Sequence, residues 1–104
     1  MPKPSLRAQR YLDRVARLGC IVCRNVGQYP DWAATEIHHL REGMGMSQKN
    51  DYLHTLPLCP IHHRTGGRGV GFHAGRESWE AHFGSERSLL WEVRRLLGYK
   101  GLPR

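Results

Sequence analysis

The chain has 104 residues, enough for one domain (1–104) with a small core; it is 39% hydrophobic, and its 12 glycines and 6 prolines imply many loops. Its 16 Lys and Arg against 9 Asp and Glu leave a net charge of +7, a balance that favours a polyanionic partner, most simply nucleic acid. No segment approaches the roughly 20 apolar residues of a membrane span, and the first residues mix basic side chains with no apolar leader-like run. No membrane-spanning helix is expected, and a reducing cytoplasm is. There, three cysteines, which cannot all pair within one chain, and seven histidines signal metal rather than disulfides.

In chain order, Ser5 is placed to cap a helix from Leu6 to Leu18 that Gly19 closes. Leu6, Leu12, Val15, Ala16 and Leu18 form its apolar stripe, with Ala8 and Tyr11 at the edge. Arg7, Arg10, Arg14 and Arg17 share another face, either simply solvated or in contact with phosphates. Residues 24–34 read as irregular, Thr35–Leu40 as a strand, Arg41–Asp51 as a loop and His54–Leu58 as a second strand. Pro60–Arg64 opens a short helix, and Gly66, Gly67, Gly69 and Gly71 suggest a mobile segment. Two helices close the chain. Arg76–Phe83 carries Trp79 and Phe83 at i, i+4; Glu86–Leu97, capped by Ser85 and ended by Gly98, presents Leu89, Leu90, Val93, Leu96 and Leu97.

Cys20-x-x-Cys23 and Cys59-x-x-His62 are two metal half-sites. Tetrahedral zinc takes four S/N ligands, and two such turns supply them in pairs. This assignment uses all three cysteines and provides the staple that so small a core needs. It leaves His38, His39, His54, His63, His73 and His82. His82 reads as bland, beside Phe83 on a helix. Glu36, Glu42 and Asp51 offer oxygen ligands, although nothing in their spacing demands it.

Ile37-His38-His39 followed by His54-Thr55-Leu56-Pro57-Leu58-Cys59-Pro60-Ile61-His62-His63 resembles the HNH (ββα-metal) nuclease motif. His62 replaces the usual last cysteine of the zinc set, and His54 stands where the family usually has Asn, whose task is to tie the hairpin loop and help orient the base. Over nearly the whole chain, Leu58-Cys59-Pro60-Ile61-His62-His63-Arg64-Thr65-Gly66-Gly67, Val70-Gly71-Phe72-His73 and Trp79-Glu80 resemble the phage Ref family of RecA-dependent HNH endonucleases.

The resemblance implies an α+β fold: a small ββα-metal core, a structural zinc knuckle and flanking N- and C-terminal helices. It implies a metal-dependent DNA endonuclease in the cytoplasm of a bacterial host, phage or prophage encoded, cutting single strands or displacement loops organised by a RecA filament. Carried over by position, His38 and His63, with His73 as the best further candidate, would ligate a catalytic divalent ion (Mg²⁺, Mn²⁺ or Zn²⁺), beside the structural Zn²⁺ of Cys20, Cys23, Cys59 and His62. His39 would be the general base, with His54 a second catalytic candidate, and Lys49, Arg64 and Arg68 would hold the phosphate backbone. Because neighbours on a strand point to opposite faces, the roles of His38 and His39 are interchangeable at this level. The competing readings are an HNH nuclease independent of RecA and a non-catalytic zinc module that binds DNA, which would need no second histidine set.

Overall fold

Helix α1 (Leu6–Arg17) starts where Ser5 accepts the Ala8 N–H, and basic Arg14 and Arg17 occupy its last turn. The computed structural model describes residues 5–41 and 51–103. The buried stripe of α1 is Ala8, Tyr11 and Val15 rather than the leucine-centred stripe expected, and Leu6 is 61% exposed. Tyr11 draws the helix around. Its ring meets the rings of Tyr52 and Tyr99, and its hydroxyl accepts from the buried Arg94. Gly19 then turns the chain at φ +74°, where a Cβ would lie 2.5 Å from the Pro30 side chain, so only glycine fits.

The Cys20 turn, read as irregular beyond the cysteines, opens helix α2 (Ile21–Asn25), with the Cys20 sulfur capping the Cys23 N–H. Strands β1 (Glu36–His39) and β2 (Thr55–Leu58) pair antiparallel with Glu36 opposite Leu58 and His39 opposite Thr55. Every residue of β2 is buried, and α1, α2 and α4 (Glu86–Leu96) all pack against it. Pro57 is tolerated there because a two-stranded sheet leaves one backbone edge of β2 unpaired.

Beyond β2 the expected short helix is a π-helical turn, Ile61–Thr65, closed by Gly66 N–H to Ile61 O. Such turns favour functional sites because they re-aim side chains. Gly66 allows it, since a Cβ would lie 2.5 Å from the Ile61 carbonyl oxygen. The glycine segment expected to be mobile is knit into turns by Val70 and Gly71 N–H groups on Gly67 O, and His82 Nδ1 donates to Gly69 O, the bland role expected of it. Helix α3 (Arg76–Phe83) buries Trp79 completely, and α4 buries Leu89, Leu90 and Val93 but leaves Leu96 48% exposed. The result is an α+β fold with a two-stranded sheet, and no helix among the described residues is long and apolar enough to cross a membrane.

Candidate metal centres

Two groups of potential ligands converge on the turn after β2. In the first, the Cys23 and Cys59 sulfurs lie 3.8 Å apart, and His62 Nδ1 lies 3.6, 3.5 and 3.2 Å from the sulfurs of Cys20, Cys23 and Cys59. A tetrahedral zinc with Zn–S near 2.3 Å and Zn–N near 2.0–2.1 Å has edges of about 3.8 Å (S to S) and about 3.6 Å (S to N). The four atoms therefore stand close to the corners such an ion requires. Electrostatics agrees. Burial, then the neighbouring Cys20, pushes the Cys23 thiol up to about 12, and burial raises Cys20 as well; crowded thiolates are opposed unless a cation sits among them. Burial lowers the His62 pKa and so favours the neutral, ligating imidazole. The site is clamped from α3, where Trp79 Nε1 donates to His62 O at 2.9 Å.

The second group is His38, His63 and His73, whose ligand nitrogens lie within 4.8 Å of one another. His62 and His63 are neighbours on one helical turn and point in different directions, so one joins the cysteines and the other joins this cluster. His38 is 2% exposed, on the β1 face that packs against Phe72. Its Nε2 donates to Glu86 Oε2 at 2.7 Å, which leaves Nδ1 to serve as ligand. His63 Nδ1 donates to Glu36 Oε1 at 2.8 Å, and its Nε2 faces His73 Nε2 at 3.0 Å. Burial first, then the charges of His63 and Arg41, lowers the pKa of His73. Two imidazoles each backed by a carboxylate, with their other nitrogens converging, form the arrangement that orients histidines on a metal. The donor set fits a divalent ion of borderline softness.

The two carboxylates are legible unequally in the sequence. Glu36 offers itself there as a possible oxygen ligand; in the fold it backs His63 instead and is gripped by Arg64 through Nε (3.0 and 3.1 Å) and Nη2 (2.7 Å). Arg64, then His63, holds its carboxyl down at about 2, so it stays ionised at any ordinary pH. Glu86 escapes sequence reasoning, because an acid in the first turn of a helix looks like a capping residue. It is fully buried and also accepts the Arg41 N–H. The signal for it is weak: a Glu opening an otherwise apolar-faced helix.

The remaining candidates lie outside both clusters. His39 is exposed at the end of β1, on the opposite face from His38. His54 is half-buried; its carbonyl accepts the Leu40 N–H, and its Nδ1 is buried with no hydrogen-bond partner among the described residues. Arg64 is committed to Glu36 although half-exposed, and Arg68 is exposed in the glycine-rich turn. Lys49 and Glu42 lie outside the described residues, and so does most of the Arg41–Asp51 loop.

Glu36→Gln is expected to lower divalent-ion affinity by about 10- to 100-fold, with a melting temperature close to that of the parent because an exposed ion pair contributes little. Calorimetric titration with Mn²⁺ measures this, and unchanged affinity would show that Glu36 does not orient His63.

Among curated proteins none matches the chain. The model of the family described as "recombination enhancement, RecA-dependent nuclease" matches residues 4–97, a span that takes in both clusters and the helices that flank them. The chain therefore belongs to the recombination-enhancement, RecA-dependent nuclease family.

Proposed function

We propose that the chain is a metal-dependent DNA endonuclease of the HNH (ββα-metal) type, acting on single strands or displacement loops that a RecA filament presents in the bacterial cytoplasm. The observation that carries this reading is the His38–His63–His73 cluster, built on a hairpin and the following turn, with Glu86 and Glu36 behind two of its imidazoles. A zinc module that only binds DNA has no use for that second set. The order β1, β2, helical turn, with a cysteine-rich site bracing the turn, supports the ββα-metal assignment.

In this reading Cys20, Cys23, Cys59 and His62 hold a structural zinc, and His38, His63 and His73 hold the working divalent ion. When bound, that ion supplies positive charge to a phosphate undergoing in-line displacement. His39 is the general base: it takes a proton from the attacking water, whose oxygen bonds to phosphorus as the bond to the 3′ oxygen breaks; the departing 3′ oxygen takes a proton from solvent water, giving 5′-phosphate and 3′-hydroxyl ends. The placement of His38 within the cluster favours it as ligand and His39 as base. His39 is the last residue of β1 and exposed, which suits a group that meets a phosphate lying over the strand end. His54, one residue before β2 and with a buried nitrogen that has no partner among the described residues, is assigned to positioning the end of the hairpin. Arg68 and Lys49 contact the phosphate backbone, and Arg64 does so only as far as its grip on Glu36 allows.

The deciding experiment is cleavage of a displacement loop with Mg²⁺ or Mn²⁺, with and without RecA, for the parent and His39→Ala. The parent is expected to cut in the presence of RecA and the variant to lose about 10²- to 10⁴-fold. Equal cutting by both refutes His39 as base, and cutting that ignores RecA points to a free-standing nuclease.

A further inference from the structure

A cleft of about 340 Å³ lies between α1 and the Asp51–Leu53 turn, and none of its described lining residues belongs to either metal cluster. Its walls carry Arg7, Arg10, Arg14, Tyr52 and Tyr99, and no Asp or Glu is among the lining residues that are described. Arg7 and Arg10 are exposed, one helical turn apart, and neither forms an ion pair among the described residues. Arg14 donates to Tyr99 Oη at 3.1 Å and to the Leu97 carbonyl at 2.6 Å, which fixes its guanidinium at the cleft without neutralising it. Beneath, Arg94 is 8% exposed yet has only neutral partners among the described residues: it lies 4.0 Å from the Tyr99 ring centroid and donates to Tyr11 Oη and Gly101 O. A buried cation whose described partners are all neutral raises the positive potential of the surface above it. Tyr99 still leaves 37% of its surface exposed.

We propose that this cleft is a second nucleic-acid site, which holds one unpaired DNA strand away from the histidine cluster: Arg7, Arg10 and Arg14 take phosphates, and Tyr99 with Tyr52 meets the bases. Cations with no acidic partner among the described residues, set beside aromatic rings, are the combination that binds single strands, because phosphates need charge and every base offers a face to stack. The turn forming one wall leads directly into His54 and β2, so a strand held here is delivered to the hairpin. The identity of the polyanion as DNA rests on the nuclease reading; the site itself rests on the cleft.

The test is fluorescence anisotropy of a short labelled oligothymidylate with the zinc-loaded protein and no added Mg²⁺. Arg7→Ala/Arg10→Ala is expected to weaken binding at least tenfold and to reduce the salt dependence by about 1.4, roughly 0.7 for each single-strand phosphate left without its arginine. Tyr99→Leu is expected to weaken it roughly tenfold. Arg24→Ala/Arg95→Ala, which removes the same charge from side chains outside the cleft, is expected to leave binding near the parent value. An equal loss in both double variants reduces the effect to net charge and overturns the site, as does unchanged binding in Arg7→Ala/Arg10→Ala. Equal competition by duplex DNA overturns the single-strand assignment, and displacement by polyglutamate at equal charge overturns it in favour of an acidic protein partner. His63→Ala must bind the oligonucleotide like the parent. A parent that binds the oligonucleotide but cuts no DNA with Mg²⁺ or Mn²⁺, with or without RecA, overturns the nuclease reading while the cleft stands.

Discussion

Stripping the Cys20–Cys23–Cys59–His62 site with a strong chelator is expected to unfold the chain, and Cys59→Ser is expected to act in the same direction. The reason is one of scale. A structural zinc contributes on the order of 10 kcal/mol, as much as the whole net stability of a typical domain, about 5–15 kcal/mol. The four candidate ligands join the entry of α2 to the turn after β2, and the core residues Ile21, Val22 and Leu58 stand immediately beside them in sequence. Loss of the ion would leave three thiols and an imidazole crowded within hydrogen-bonding distance with nothing to hold them there. Circular dichroism and zinc analysis on the same sample measure the outcome. A spectrum unchanged after the zinc has been shown to be gone would sink the structural role.

The second large effect is expected at His63. His63→Ala should reduce plasmid nicking by at least about 100-fold, since the charge a divalent ion places on a reacting phosphate is worth several kcal/mol. Zinc content and the far-ultraviolet spectrum should stay as in the parent, because His63 contributes to the other cluster and is only half-buried. The separation is what makes the test informative. If nicking, zinc and fold all persist, the three histidines are not the working centre; if all three fall together, His63 is structural.

The parts of the site legible in the sequence are those whose geometry is local. Cys20-x-x-Cys23 and Cys59-x-x-His62 each place two ligands on one turn, so spacing alone declares them. Leu89, Leu90 and Val93 announce their burial by helical periodicity and are indeed buried. What stays hidden in the sequence is long-range or too short to have a period. Helix α2 has five residues, fewer than two turns, and its cap is a cysteine sulfur rather than a Ser or Asp. The stripe of α1 departs from its leucine periodicity because Tyr11, half polar, outweighs Leu6 once Arg94, Tyr52 and Tyr99 gather on it. Glu86 meets His38 across 48 residues of chain, and no local pattern foreshadows that meeting.

The Glu86–His38 pair has a consequence for modularity. The histidine-bearing hairpin and turn look like a portable cassette, since the motif ends before the last two helices begin. Yet the imidazole of His38 takes its orientation from a carboxyl on α4, which also receives the Arg41 amide where the chain leaves β1. In the proposed reading the C-terminal helix is thus part of the working centre, and the motif transplanted without it would carry the candidate ligands but lack the group that aims His38.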